Sequence, residues 1–217
     1  LTDLAENLDR IGEKIRASFS AKHEARDTAI KSSREAIYKC STSIRAAHRG
    51  EFDLAKSLAD EAKSILDEVN QAIDNYADLH YTGFVLDSHK EYAEARITLA
   101  LISGQPIPEP DSLGIVYSAY LNGLGEAAGE LRRHLLDRMR RGELDRCENI
   151  LGMMDDIYSL LVTIDFPDAL TGGLRRTTDM VRGVLERSRG DLTVSLRQKE
   201  LENKLEKFNS KLTGSEQ

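Results

Sequence analysis

Three of the four prolines in this chain fall within five residues, at 106, 108 and 110. Proline gives a helix no N–H, and its ring collides with the turn before it. Outside that cluster the only proline is Pro167, so almost all of the chain is open to helix. The apolar residues use that freedom. Leu4, Leu8, Ile11, Ile15 and Phe19 step by three and four residues, the spacing of one helix face. Ile30, Ile37 and Ile44 carry the stripe on at seven-residue intervals. The pattern predicts an all-α chain that opens with one very long helix, about 2–48. Thr2 or Asp3 caps its start, and Gly50 stands where a helix C-terminus takes a left-handed residue.

A second helix follows over about 51–77, with Leu54, Leu58, Ile65, Val69 and Ile73 inward. The joint before it is so short that the first two helices lie antiparallel. A third spans about 79–103 and ends at Ser103–Gly104, where the stretch QPIPEPD forms a turn-rich connection. A fourth covers about 112–141. A fifth, about 143–163, carries Leu144, Ile150, Leu151, Met154, Ile157 and Leu161 on its inner face. The stretch FPDALTGG then breaks the pattern, and 174–188 and 191–208 supply one or two more helices. With no low-complexity run and no long linker, residues 1–208 read as a single bundle of six or seven helices. Residues 209–217 read as a polar tail.

Charge and cysteine content narrow the function classes. Charged residues make up 31% of the chain and the net charge is −7, which excludes a general nucleic-acid coat but not a local basic surface. Cys40 and Cys147 fit neither a metal spacing nor a disulfide framework, so a reducing cytoplasm is the expected location. No secretory signal and no run of roughly 18–20 apolar residues points to a membrane.

Two pairs of acids stand out. In KEYAEA, residues 90–95, Glu91 and Glu94 lie one turn apart on a helix that goes on to Ile97 and Leu101. In GLGEAAGE, residues 123–130, Glu126 and Glu130 share a face. Each interior glycine there costs a helix roughly 1 kcal/mol against alanine. Small residues admit another helix backbone, and a close third helix brings Glu91 and Glu94 to face Glu126 and Glu130. Four converging carboxylates repel and are costly to desolvate, and a divalent cation relieves both. All-oxygen ligands select hard ions, Mg²⁺ or Mn²⁺. The Glu-x-x-His pattern of di-iron bundles is absent from both pairs, while His134 extends the second pair by one turn as a candidate nitrogen ligand. The plainer reading makes these acids salt-bridge partners of Arg96, Arg132 and Arg133.

The order of a long basic first helix, KEYAEA and then YLNGLGEAAGELRR resembles the translin family, within it the translin-associated factor X branch. The resemblance covers about residues 20–205 and is strongest at 90–95 and 120–133. It implies a seven-helix bundle assembled into hollow octamers that bind RNA or single-stranded DNA. For the factor X branch it implies a Mg²⁺-dependent endoribonuclease site of four acids. Two come from a Glu-Tyr-x-Glu-Ala motif, here Glu91, Tyr92, Ala93, Glu94 and Ala95. Two come from an Asp-x-x-x-Glu-Leu motif, matched by Glu126, Glu130 and Leu131, with Glu where that branch has Asp. The non-catalytic translin branch has no acid at the Glu126 position, which leaves an RNA- or single-stranded DNA-binding oligomer as the alternative.

A local basic surface is present in the sequence. Between 22 and 49 stand Lys22, Arg26, Lys31, Arg34, Lys39, Arg45 and Arg49 against three acids, opposite in sign to the whole chain. Lys31, Arg34, Tyr38, Arg45 and Arg49 share an arc of roughly 60° on a helix, a strip suited to phosphate contact with a ring for base stacking. Arg132, Arg133, Arg138, Arg140 and Arg141 form a second basic cluster, on the helix that carries Glu126 and Glu130. The candidate RNA contacts are Lys31, Arg34, Arg45, Arg49, Arg132 and Arg133.

Overall fold

The computed structural model describes the backbone of residues 2–214 and the side chains of residues 3–211. Among these residues there are eight α-helices and no strand. They are α1 (Thr2–Arg49), α2 (Phe52–Ile73), α3 (Gly83–Ser103), α4 (Pro110–Leu113), α5 (Tyr117–Arg140), α6 (Leu144–Thr163), α7 (Asp168–Thr171) and α8 (Leu174–Gly214). A single 3-10 turn, Leu79–Tyr81, precedes α3. By contacts the chain divides into two compact units, Leu1–Tyr120 and Leu121–Gln217.

In the first unit α1 packs on α2 and α3, and α2 on α3. The α1–α2 joint is Gly50 and Glu51. Gly50 sits at φ 80°, and the N–H groups of Gly50 and Glu51 donate to the Ala47 and Ala46 carbonyls at 3.0 Å each. That left-handed turn reverses the chain, so α2 runs back along α1. Ser43 Oγ donates to the Ala55 carbonyl at 2.6 Å, and further along Lys39 Nζ meets Glu61 at 2.6 Å.

Of the large aliphatics that the sequence suggests, Ile44, Val69 and Ile73 are buried, but much of the seam is made of smaller residues. Along α1 it is Ala29, Ser33, Ala36, Cys40, Ser43 and Ala47, with Ile30 and Ile37 at its half-buried edge. Along α2 it is Ala55, Ala59, Ala62, Leu66, Val69 and Ile73, while Leu54 lies exposed. Small side chains let two backbones pack closely, and the larger ones then flank the seam. At the far end of the hairpin, Val69, Ile73, Leu79 and Val85 close over Ala29.

In the second unit α6 and α7 pack against α8. Leu144, Ile150, Met154, Ile157 and Leu161 of α6 are buried as their spacing predicts. A Cβ placed on Gly125 of α5 would lie 2.3 Å from Thr177 Cγ2, 3.4 Å from Val181 Cγ2 and 3.5 Å from Leu161 Cδ1. Only glycine fits so close a neighbour, and at Gly125 the neighbours admitted are α8 and α6. Asn122, one turn earlier, fixes the same contact: its Nδ2 donates to the Thr171 carbonyl at 2.8 Å, and its Oδ1 accepts from the Thr177 hydroxyl at 2.5 Å.

Several boundaries differ from expectation. α2 ends at Ile73 and α3 begins at Gly83, with turns and the 3-10 turn between them. The proline cluster ends in the one-turn α4, with Pro110 at its first position, where a missing N–H costs nothing; α5 therefore starts at Tyr117. Residues 174–188 and 191–208, expected as one or two helices, are one, and α8 continues through the stretch expected as a polar tail as far as Gly214. The last three residues of that stretch lie outside the described residues. Among the described residues no helix is long and apolar enough to cross a membrane.

Candidate functional site

Glu91 and Glu94 project from α3 between buried neighbours. Tyr92, Ala93, Ala95 and Ile97 are all buried, which leaves the two carboxylates at the half-buried edge of the helix. Beneath them lies α1. Burial, and after it the charges of Glu91 and Glu94, push the Cys40 thiol up to about 12, so it stays protonated and offers neither a thiolate ligand nor a nucleophile. Burial likewise raises Tyr92 to about 12.

On α5 the same logic holds. Leu124, Ala127, Ala128 and Leu131 are buried, and Glu126 and Glu130 are half-buried. Glu91, Glu94 and Glu126 each offer a carboxylate oxygen, and these oxygens lie within 4.8 Å of one another. The three acids form a group able to hold a metal ion, the only such group among the described residues. Glu130 is not in it; its carboxylate lies 3.7 Å from Arg133. His134 is not in it either, and accepts from Arg138 Nε at 3.4 Å.

The arginines named as salt-bridge partners for the acids are largely engaged elsewhere. Arg96 donates to Asp60 of α2 at 2.6 Å. Arg132 donates to Asp191 at 2.8 Å and to Ser188 Oγ at 3.0 Å. Nothing in the sequence signalled Asp60 or Asp191, because each lies far along the chain from its arginine.

The basic strip of α1 is solvent-facing at Lys31, Arg34 and Arg45, with Tyr38 64% exposed among them. Among the described residues neither Lys31 nor Arg34 forms an ion pair, and Arg45 donates to the Thr42 hydroxyl at 3.0 Å. Arg49 differs. Glu51 takes both its Nε and a terminal nitrogen, at 2.9 and 2.6 Å, so part of its charge is answered within the hairpin. On α5 a groove of about 610 Å³ is lined by Gly129, Arg132, Arg133, Leu136, Asp137 and Arg140.

Comparison with known proteins adds three relatives. A duplex RNA complex of AfC3PO has the same fold, with a TM-score of 0.78, 29% identity, and coverage of 86% of this chain and 96% of that one. A crystal structure of AfC3PO gives 0.77 and 29% over 86% and 97%. Apo-NeC3PO, at 21% identity over 87% and 97%, shares the fold with a TM-score of 0.71. An uncharacterised protein of Methanocaldococcus jannaschii is 28% identical over 191 residues, 86% of this chain and 83% of that protein. No family model matches the chain. The C3PO likeness supports the translin family to which the two acidic motifs point.

Proposed function

We propose that the chain is an endoribonuclease of the translin type, acting in the cytoplasm as part of a hollow homo-oligomer, an octamer by the family resemblance. Its catalytic acids are Glu91, Glu94, Glu126 and Glu130, and Mg²⁺ or Mn²⁺ is its cofactor. The observation that carries this reading is the convergence of Glu91, Glu94 and Glu126. Three half-buried carboxylates gathered in one place repel one another, and a donor set made only of oxygen suits a hard divalent ion. Bound there, such an ion supplies Lewis-acid stabilisation of the phosphate and a water nucleophile at neutral pH.

The chain's own residues set the rest. Glu91 and Glu94 are held by a helix whose flanking residues are buried, so their reach is fixed before substrate arrives. Glu130, one turn beyond Glu126, completes the set of four. Lys31, Arg34 and Arg45 offer exposed charge for RNA phosphates, with Tyr38 as a stacking ring. Arg133 and Arg140 offer a second such surface. Arg49 and Arg132 contribute less than their spacing suggests, because Glu51 and Asp191 already hold them. That the related AfC3PO is seen in complex with duplex RNA supports RNA as the ligand class.

One observation favours a second reading, a non-catalytic RNA- or single-stranded DNA-binding oligomer: the converging group holds three of the four acids, and Glu130 stands near Arg133 instead. Incubation of the purified protein with labelled RNA separates the two. Cleavage in Mg²⁺ or Mn²⁺ that stops in EDTA is the expected result. RNA that is bound but left whole under every metal condition moves the chain to the second reading.

A further inference from the structure

The far end of α8 carries an apolar stripe on the wrong side of the helix for its own unit. Leu174, Val181, Leu185 and Leu192 are buried, and at 100° per residue they share one face. Beyond Leu192, Leu196 keeps to the core face and is half-buried, while the exposed large apolar residues are Val194, Leu201, Leu205 and Phe208. These are 66%, 57%, 53% and 60% exposed. They fall within an arc of about 60° on the opposite side of the helix. The core face therefore ends at Leu196 among the described residues. A second face begins, and α8 remains helical throughout it, to Gly214.

The spacing of that face is heptad. Val194, Leu201 and Phe208 are seven apart and occupy d positions; Gln198 and Leu205 occupy a positions. A lone polar residue at an a position fixes register in two-stranded coiled coils, at a cost in stability. The flanking charges choose the orientation. Arg197 and Lys204 stand at g, and Glu202 stands at e. In a parallel pair each g residue faces the e residue five places on in the other copy, which sets Arg197 against Glu202. In an antiparallel pair g faces g, which sets arginine and lysine against each other. Within the chain Arg197 pairs with Glu200 at 3.0 Å, and Glu202 accepts from Gln198 at 3.2 Å. Both are exposed single-turn contacts that exchange easily for an interhelical one.

We infer that residues 194–211 of α8 form a parallel two-stranded seam with the same segment of a second copy of this chain, held by Val194, Leu201, Leu205 and Phe208 and oriented by Arg197–Glu202 pairs. The seam is independent of the nuclease reading and stands whether or not the protein cuts RNA.

Cysteine cross-linking of the full chain tests it. The native Cys40 and Cys147 are buried and remain as they are. Leu201→Cys places a thiol at a d position, where like residues face each other across a parallel seam. Lys199→Cys places one on the outer face, equally near the helix tip. Both positions are exposed, so neither change threatens the fold. Under copper–phenanthroline oxidation, Leu201→Cys is expected to shift on a non-reducing denaturing gel to a species of twice the chain's 24.2 kDa, with Lys199→Cys remaining at the single-chain mass. Absence of that shift for Leu201→Cys overturns the proposal, and so does equal cross-linking at the two positions.

Discussion

Replacing Gly125 by alanine tests the packing that positions Glu126. In an isolated helix the change stabilises by roughly 1 kcal/mol. In this fold the new Cβ lies 2.3 Å from Thr177 Cγ2, far inside contact distance. Thr177 does not turn away freely, because its hydroxyl donates to Asn122 Oδ1 at 2.5 Å and Asn122 in turn holds the Thr171 carbonyl. Relief comes only by moving α8 or by breaking that bond. Overpacking of this kind costs about 1–3 kcal/mol, and one lost hydrogen bond adds about 0.5–1.5. Against the propensity gain, Gly125→Ala loses about 1–3 kcal/mol net. Gly129, four residues on, has nothing within 4 Å of its would-be Cβ, so Gly129→Ala gains about 1 kcal/mol from propensity alone. Urea unfolding of both variants at one protein concentration measures the two differences. Thr177→Ser, which removes the colliding methyl and keeps the hydroxyl, should restore most of the loss in the Gly125→Ala background. A Gly125→Ala protein as stable as the parent refutes the close contact.

Two further perturbations have signed outcomes. His89 is buried with neither ring nitrogen hydrogen-bonded; burial, then the charges of His80 and Lys63, lower it to about 4, with Asp67 opposing. The unfolded chain takes up this proton near pH 6.5 and the folded chain resists until about pH 4, so the stability at stake is full above pH 6.5 and falls as pH drops through that window. At 1.36 kcal/mol per unit the loss is about 3 kcal/mol, and His89→Leu should flatten the urea midpoint across the window; an unchanged slope would refute this. Changing Arg34 and Arg45 together to alanine should weaken RNA binding across sequences and lower the salt slope by about two. An unchanged slope would remove both from the RNA surface.

The all-α class was legible because proline is nearly confined to one five-residue cluster, and the long first helix because apolar residues recur at helical spacing in both of its halves with no proline between them. The true seam between α1 and α2 was not legible by bulk. Weighting large aliphatics selects the exposed Leu54 along with the buried Ile44, Val69 and Ile73, and passes over the buried Ala36, Ala47, Ala55, Ala59 and Ala62. The sequence left open whether 174–208 holds one helix or two; nothing crowds Gly190, and α8 runs through it. At the site, the two spaced pairs named Glu91, Glu94, Glu126 and Glu130, and three of these, without Glu130, form the group able to hold a metal ion. Spacing does not reveal long-range partners, so the engagement of Arg96 by Asp60 and of Arg132 by Asp191 emerged only from the fold. Cys40 beneath the acids was missed for a related reason: it belongs to the small-residue face of α1, which hydrophobic periodicity undercounts.

The central claim is that the converging acids hold a cation and make the chain a nuclease. Glu126→Gln keeps the shape and the hydrogen-bonding capacity of the side chain but removes the charge that a hard ion needs. The decisive measurement is single-turnover cleavage of labelled RNA by this variant in saturating Mg²⁺ or Mn²⁺, with RNA affinity determined on the same preparation. The account predicts that cleavage falls by orders of magnitude, as expected when the metal's contribution to hydrolysis is lost, while RNA affinity holds. Cleavage by Glu126→Gln at the parent rate would contradict it.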